Sequence, residues 1–241
     1  MVDEVYKAAQ RGMIEALRDL YNSMPELEKD ARFKAFLSRA NFHVGELGQR
    51  IEELSELATI DKLTRLYNFA AYKERLEAEA DRALRTGEPL ALIMLDLDKF
   101  KPINDTYGHA AGNEVLAYVG EVMRKHVRRS DTPCRIGGDE FAIILPGTRI
   151  DDAKCVAERI KDDAGRWSYE FGGIKLGPVE FSQGIAGMPT GFEAEQYLEA
   201  ANALARNADR ALYDAKRNGR NRICVYVEPE EAPDGGGEQR L

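Results

Sequence analysis

The strongest structural signal in the sequence is the stretch Cys134-Arg135-Ile136-Gly137-Gly138-Asp139-Glu140-Phe141-Ala142-Ile143-Ile144-Leu145. Two short apolar runs lie on either side of a Gly-Gly pair, and this pattern predicts a β-hairpin with a tight turn. The turn also carries Asp139 and Glu140 beside the glycines. The stretch therefore predicts a buried strand pair with two carboxylates at its tip.

A second buried strand is predicted upstream, where the apolar residues 90–95 lie between Pro89 and Asp96. Helical patterns are found at about residues 69–86, 112–127, 151–164 and 200–217, a strand pair within residues 173–188, and a last strand at residues 222–227. Helices that alternate with strands and include a tight hairpin predict an α/β (α+β) fold. We expect a mixed, mainly antiparallel central sheet covered by helices.

The composition is that of an acidic globular chain. Of 241 residues, 34 are Lys or Arg and 42 are Asp or Glu, so the formal net charge is −8. This balance argues against a nucleic-acid binder, whose affinity depends on many cationic contacts to phosphates. The three cysteines form no CxxC pair, which favours reduced thiols. Because neither a membrane helix nor a signal peptide is recognisable, we expect a cytoplasmic protein without membrane insertion.

The N-terminal quarter of the chain follows a heptad repeat. Its apolar positions alternate four and three apart and are Phe33, Leu37, Ala40, Val44, Leu47, Ile51, Leu54 and Ala58. This spacing draws two helices into a coiled coil, so residues 1–57 are predicted to be a helical stalk that mediates a homodimer. The alternative is that the stripe packs against its own domain. Residues 58–227 then form the main domain, and residues 228–241 form a disordered tail rich in Glu, Pro and Gly.

Two acidic clusters are predicted at the ends of buried strands. Asp96 and Asp98 follow the apolar run, and Asp139 and Glu140 lie at the hairpin tip. Carboxylates in such places are solvated, paired or bound to metal, because an unpaired buried charge is very costly. Two clusters on neighbouring strands could hold two Mg²⁺ ions about 3.5–4 Å apart. A pair of solvated turns is the alternative at this stage.

Several separated motifs together resemble the GGDEF family of diguanylate cyclases. They are Asp61-Lys62-Leu63-Thr64-Arg65-Leu66-Tyr67-Asn68, then Asp96-Leu97-Asp98-Lys99-Phe100-Lys101-Pro102-Ile103-Asn104-Asp105-Thr106-Tyr107-Gly108-His109-Ala110-Ala111-Gly112-Asn113, then Arg135-Ile136-Gly137-Gly138-Asp139-Glu140-Phe141, and finally Ala211-Leu212-Tyr213-Asp214-Ala215-Lys216-Arg217-Asn218-Gly219-Arg220-Asn221. The resemblance covers residues 58–227. It implies a nucleotidyl-cyclase-like domain that condenses two GTP into cyclic di-GMP and two pyrophosphates. Arg65 and Tyr67 stand where the family often has Gly and Pro.

The resemblance implies particular catalytic and metal-binding residues. The metal ligands would be Asp96, the backbone carbonyl of Leu97, Asp139 and Glu140. They would hold two Mg²⁺ per active site, or Mn²⁺ in its place. Asp139 would also accept the proton of the attacking 3′-hydroxyl, beside Glu140 as the second catalytic carboxylate.

The resemblance also implies how GTP would be bound. The substrate-binding residues would be Phe100, Lys101, Asn104, His109, Asn113, Gly137, Gly138, Lys216 and Arg220. Within this set, Asn104 and Asn113 would read the guanine edge, and the backbone amides near Phe100 and Lys101 would hold phosphates. Lys216 and Arg220 would reach the triphosphate.

A further motif is Arg128-Arg129-Ser130-Asp131, with five residues between Asp131 and Gly137. At this spacing it resembles the inhibitory product site of the family, whereas alone it would be a solvated charge cluster. Arg128, Asp131 and Arg159 would then bind cyclic di-GMP and give product feedback inhibition.

Three other functions remain open at this stage. One is a non-catalytic cyclic di-GMP receptor that uses only the product site, and another is a scaffold whose function lies in the coiled coil. The third is a cyclase of relaxed base choice that makes mixed cyclic dinucleotides, because Asn113 stands where the family commonly carries Asp. The intact catalytic positions favour the cyclase, with GTP as substrate.

Overall fold

The computed structural model describes residues 59–228 and, before them, Ala35 and residues 38–40, 42, 43, 45 and 46. These earlier positions are helical. The rest of the predicted stalk, including most of the heptad repeat, and the predicted tail after Glu228 lie outside the described residues. The chain divides into two compact units between Ala58 and Thr59.

The second unit is built on a mixed sheet covered by helices, as predicted. Its helices are α1 (Phe69–Thr86), α2 (Phe100–His126), α3 (Ile150–Ala164) and α4 (Tyr197–Arg217). Its strands are β1 (Leu90–Leu97), β2 (Thr132–Arg135), β3 (Glu140–Pro146), β4 (Tyr169–Phe171), β5 (Ile174–Leu176), β6 (Phe181–Gly187) and β7 (Ile223–Val225). The main sheet has the order β2-β3-β1-β6-β7, and β4 pairs with β5 in a separate ribbon. In the main sheet β6 and β7 are parallel and the other pairs are antiparallel.

Strand β1 is the central strand, and its continuous apolar run reflects burial on both faces. Because side chains alternate between the two faces of a strand, Ile93 and Leu95 pack with residues of α2 and α3. Leu90 and Leu92 pack on the other face with residues of α1 and α4. Burial of each large side chain contributes about 1.5–3 kcal/mol. The central strand is therefore fixed from both sides, and so are the polar residues at its end.

Helix α2 begins at Phe100 rather than near Gly112, so the predicted start of the second helix is wrong. Pro102 lies in the first helical turn, where no intrahelical N–H bond is lost. A break at Gly108, with φ 80° and ψ 164°, divides α2 into two segments. The second segment contains the predicted helix.

The strand pair predicted within residues 173–188 is wrong in its pairing. Two strands, β5 and β6, do lie there, but β5 pairs with β4, which the sequence did not predict. Strand β6 pairs with β1 and with β7. The hairpin predicted at residues 134–145 is confirmed as β2 and β3. Among the residues that the structure describes, no helix has both the length and the apolar content needed to cross a membrane.

Candidate active site

The two acidic clusters meet where the end of β1 lies beside the start of β3. In the antiparallel register, Asp96 is opposite Glu140. The N–H of Leu97 donates to the carbonyl of Asp139 at 3.1 Å. The register therefore brings the three carboxylate-bearing residues proposed as metal ligands to one end of the central strand.

The carboxylate of Asp96 lies among charges of both signs. Burial raises its pKa, the neighbouring Lys216 lowers it, and the charges of Asp139 and Glu140 raise it further, so that the net direction is upward. The Nζ of Lys216 lies 2.7 Å from Oδ2 of Asp96. The site is thus an acidic cluster that one lysine partly neutralises.

The acidic cluster fits a divalent cation in its donor chemistry. Within the described residues no group of three or more His, Cys, Asp or Glu forms a ready metal cage. Mg²⁺, however, commonly takes one or two carboxylates from the protein and its other ligands from substrate phosphates and water. The repulsion that Asp139 and Glu140 exert on Asp96 is the kind of interaction that a bound cation offsets. A cation here would compete with Lys216 for the same carboxylate.

The residues predicted to read guanine are brought together in α2. Gly112 lies directly against the side chain of Asn104, because a Cβ built on Gly112 would collide with Oδ1 of that asparagine and lie 3.0 Å from its Cγ. Asn113 follows Gly112 and is exposed. His109 is also exposed and follows the break at Gly108. Asn104, which is half-buried, therefore lies against the residue that precedes the exposed Asn113.

The first turn of α2 offers backbone amides at the predicted phosphate position. The N-cap residue Lys99 has φ 59° and makes no side-chain capping bond. The first N–H groups of a helix have no intrahelical partner and are favourable contacts for anions. The amides of Phe100 and Lys101 are consequently available to phosphate oxygens.

The two hairpin glycines have different structural roles. A Cβ on Gly137 would lie 2.6 Å from Oε2 of Glu140, so the absence of a side chain at this glycine leaves room for the Glu140 side chain. Nothing lies within 4 Å of a Cβ built on Gly138. Gly138 therefore borders open space, whereas the space beside Gly137 is taken by Glu140.

The two predicted triphosphate cations each face a carboxylate. Lys216 lies in the last turn of α4, whereas Arg220 lies beyond the helix end at Arg217. Nε of Arg220 is 3.9 Å from Oδ1 of Asp98. The sequence placed Asp98 beside Asp96 in an acidic cluster, and the family resemblance gave it no role of its own; in the structure it lies beside Arg220.

The residues predicted for the product site also come together. Arg128, Asp131 and Arg159 line one pocket of about 70 Å³, with His126 and Cys155 among its other walls. Asp131 is buried, and its Oδ2 accepts the N–H of Arg128 at 2.7 Å. Residues 128–131 thus form a turn that the Asp131 side chain closes with a hydrogen bond. Arg159 of α3 adds a second arginine to the pocket.

Comparison with known proteins identifies the family of the chain. The family profile "Diguanylate cyclase, GGDEF domain" matches residues 58–222. The chain belongs to this family. Diguanylate cyclase DgcP of Pseudomonas aeruginosa is 39% identical over 214 residues, which make up 89% of this chain and 28% of DgcP. Diguanylate cyclase A of Treponema denticola is 38% identical over 177 residues, 72% of this chain and 46% of that protein. The chain thus spans less than half the length of either relative.

A solved structure shows the same GGDEF fold. The coiled coil and GGDEF domain of DgcB from Caulobacter crescentus, in complex with c-di-GMP, matches with a TM-score of 0.72 at 30% identity. The match covers 80% of this chain and 98% of the DgcB chain.

A pair of residues that sequence reasoning missed connects the start of the GGDEF domain to its hairpin. Nη1 of Arg135 lies 3.3 Å from both carboxylate oxygens of Asp61, and Nη2 donates to the carbonyl of Gly138 at 2.7 Å. Burial raises the pKa of Asp61, but hydrogen bonds from Thr64 and the charge of Arg135 outweigh burial and hold it below its ordinary value. Both residues stand in family motifs, yet a pairing across 74 positions has no local signature.

The two departures from the family pattern near residue 65 have structural consequences. Arg65 adopts φ 59°, a conformation that favours glycine. The N–H of Tyr67 donates to the carbonyl of Pro133 at 3.1 Å, a bond that a proline could not make. The guanidinium of Arg75 lies 3.9 Å from the centre of the Tyr67 ring. The tyrosine therefore fastens this segment to β2.

Proposed function

We propose that this chain is a diguanylate cyclase that condenses two GTP into cyclic di-GMP and two pyrophosphates. The observation that carries the proposal is the charge pattern at the end of β1. Asp96 lies opposite Glu140, and the ammonium of Lys216 lies 2.7 Å from Asp96. Carboxylates beside a lysine suit a reaction in which a polyphosphate and its metal ions are held together. The relatives named as diguanylate cyclases support the same activity.

In the proposed reaction, the 3′-hydroxyl of each GTP attacks the α-phosphorus of the other nucleotide. Each attack forms a P–O bond, breaks the bond to pyrophosphate, and transfers the hydroxyl proton to Asp139. Lys216 and Arg220 would bind the triphosphate and stabilise the charge that develops on the leaving pyrophosphate. Such transfers depend mainly on positioning and charge neutralisation, and these residues supply both.

Asp96, the carbonyl of Leu97, Asp139 and Glu140 would hold two Mg²⁺ ions, or Mn²⁺ in their place. When bound, such ions neutralise charge on the attacking and leaving oxygens. Burial is the first cause of the raised pKa of Asp96, and the charges of Asp139 and Glu140 add to it against the opposing effect of Lys216. This supports the assignment, because a bound cation would stabilise the charged form of that carboxylate.

Guanine would be recognised by Asn104 and Asn113. An asparagine side chain offers one carbonyl acceptor and an amide donor, whereas an aspartate would offer acceptors alone to the N–H groups of guanine. Asn113 therefore leaves a cyclase of relaxed base choice as the second candidate within the same chemistry.

A homodimer follows from the proposed reaction. One domain presents one GTP, so two domains must face each other to close the cyclic product. The predicted stalk at residues 1–57 would pair the two chains. The DgcB structure, described as a coiled coil and GGDEF domain, supports this arrangement.

Product inhibition is proposed at the pocket that Arg128, Asp131 and Arg159 line. Arginine can hold a phosphate or the O6 and N7 atoms of guanine through two parallel hydrogen bonds. The c-di-GMP bound in the DgcB structure supports product binding by this fold.

The decisive experiment incubates the full chain with GTP and Mg²⁺, with and without ATP, and identifies the products by mass. We expect cyclic di-GMP and pyrophosphate, with loss of both in Asp139→Asn. Glu74→Gln, which changes an exposed carboxylate on α1, is the matched control and should keep activity. Mixed cyclic dinucleotides in the presence of ATP would establish relaxed base choice. An absence of any cyclic dinucleotide would contradict the proposal and leave the receptor alternative, which predicts cyclic di-GMP binding that Arg128→Ala abolishes.

The dimer and the inhibition have separate tests. Deletion of residues 1–57 should lower activity at low protein concentration, and a fully active monomer would refute the stalk's role. Arg128→Ala should relieve inhibition by added cyclic di-GMP without impairing basal turnover. Its neighbour Arg129 does not line the pocket, so Arg129→Ala should remain inhibited. Equal inhibition of the Arg128 variant and the wild type would exclude this site.

A further inference from the structure

The second aspartate of the Asp-x-Asp pair forms a buried connection across the active-site end of the sheet. The side chain of Asp98 is 1% exposed. Its Oδ1 accepts the hydroxyl of Ser182 at 2.8 Å, and its Oδ2 accepts the backbone N–H of Asn221, also at 2.8 Å. Each carboxylate oxygen of Asp98 therefore accepts a hydrogen bond from the protein itself.

Asn221 belongs to a turn that needs such an anchor. Gly219, Arg220 and Asn221 have φ values of 115°, 61° and 44°, and the left-handed region disfavours residues other than glycine. A backbone of this kind persists only where its surroundings fix it. Further bonds to the turn run from the N–H of Arg220 to the carbonyl of Ala215 at 3.1 Å, from Nδ2 of Asn221 to Oε1 of Glu180 at 3.0 Å, and from Nε of Arg222 to the carbonyl of Arg220 at 3.2 Å.

The turn carries the cation assigned to the triphosphate. The side chain of Arg220 is 59% exposed, and its Nε lies 3.9 Å from Oδ1 of Asp98. The carboxylate of Asp98 therefore acts on Arg220 in two ways. It fixes the backbone of the next residue, Asn221, and it places a negative charge near Nε of the Arg220 guanidinium. The far side of the guanidinium remains exposed.

We propose that Asp98 is a positioning residue, which holds the turn at residues 219–221 so that Arg220 faces the triphosphate of the bound nucleotide. This inference rests on the proposed function, because it takes a nucleoside triphosphate as the ligand of Arg220. Asp98 itself touches neither the substrate nor the reacting atoms. Its contribution is a correctly placed cation, which lowers the concentration of nucleotide needed for binding.

The test compares the full-length wild type with Asp98→Ala, Asp98→Asn, Arg220→Ala and the double variant Asp98→Ala/Arg220→Ala. Two quantities are measured: KM and kcat for GTP from pyrophosphate release, and binding of a GTP analogue whose α–β bridge cannot be cleaved. Because the anchored cation contacts the triphosphate directly, Asp98→Ala should raise both KM and the dissociation constant of the analogue about tenfold, with a smaller effect on kcat. Asp98→Asn keeps one acceptor for the N–H of Asn221 and should recover part of this loss.

Two comparisons separate positioning from general stability. The double variant should be no weaker than Arg220→Ala alone, because two residues that act through one contact are not additive. Ile185→Val, which removes a methylene from the buried core on the strand that carries Ser182, should lower Tm without raising KM.

The outcomes are distinguishable from those that test the function. An active wild type whose Asp98 variants keep KM and analogue binding within twofold overturns the inference and leaves the proposed function intact. Additive losses in the double variant would overturn it as well. A wild type that neither makes a cyclic dinucleotide nor binds the analogue overturns the function, and the inference with it. Should Asp98→Ala fail to fold, Asp98→Asn provides the same comparison.

Discussion

Gly112→Ala should weaken GTP binding without weakening the fold. Gly112 lies inside α2, and nothing in its backbone requires glycine, so alanine alone would favour the helix by about 1 kcal/mol. The obstacle is the side chain of Asn104. The new Cβ would collide with Oδ1 and lie 3.0 Å from Cγ, and it would lie 3.2 Å from Cζ of Phe100. The asparagine side chain must therefore rotate away from its present position.

The magnitude follows from the hydrogen bond that Asn104 would lose. A neutral hydrogen bond contributes about 0.5–1.5 kcal/mol, which corresponds to roughly a two- to twelvefold change in binding. We expect KM for GTP to rise by about five- to tenfold, in the middle to upper part of that range. Tm should stay the same or rise slightly, because the gain in helix propensity offsets the local crowding.

The assay is steady-state turnover of GTP together with thermal unfolding of the same preparations. Asn104→Ala is the matched variant, and the double variant Asn104→Ala/Gly112→Ala should have the KM of Asn104→Ala, since the collision partner is gone. A Gly112→Ala enzyme with the wild-type KM would refute the reasoning. So would a double variant weaker than Asn104→Ala, because it would show that Gly112 acts by another route.

Three further substitutions test the scaffold around the site. Asp61→Asn should cost about 1–2 kcal/mol at pH 7, because it removes a charged partner of Arg135. The pKa of Asp61 is lowered below its ordinary value of 3.8 in the folded protein. Between the folded and the unfolded pKa, the unfolded state therefore binds more protons than the folded state. The free energy of unfolding of the wild type consequently falls as the pH drops through the folded pKa. Urea unfolding as a function of pH should show a shallower acid decline in the variant, and an unchanged decline would contradict this account. Gly184→Ala should cost about 2–3 kcal/mol in thermal or urea unfolding, because the added Cβ would collide with the backbone of Leu212 in α4; wild-type stability would show that the helix can move freely. Arg65→Gly should raise the unfolding free energy by about 1 kcal/mol, since the relief of a left-handed backbone outweighs the added freedom of the unfolded chain, and a lower Tm would indicate that the arginine side chain holds this turn.

The local parts of the fold could be predicted from the sequence. The apolar run before Asp96 became the central strand, and the Gly-Gly pair became the turn of a hairpin. Both patterns can be read from neighbouring residues, because a continuous apolar run favours a buried strand and a glycine pair favours a tight turn. The same reasoning placed the start of the second helix near Gly112, whereas α2 begins at Phe100 and accommodates Pro102 in its first turn.

The sequence motifs predicted which residues belong to the candidate site, but not how those residues contact one another. Resemblance supplied the carboxylates, the asparagines and the cations, but not the contacts among them. Lys216 at the end of α4 pairs with Asp96 near the end of β1, Asp98 accepts the backbone N–H of Asn221 across 123 positions, and Arg135 reaches Asp61.

The sequence by itself determined which elements form and which chemical groups the chain carries. The tertiary structure alone decided which groups face each other, because the order and register of the strands bring distant residues to the same end of β1. The left-handed turn at residues 219–221 follows the same rule. Its backbone would be unfavourable in isolation, and it persists because Asp98, just after β1, and Glu180, just before β6, supply hydrogen bonds to it.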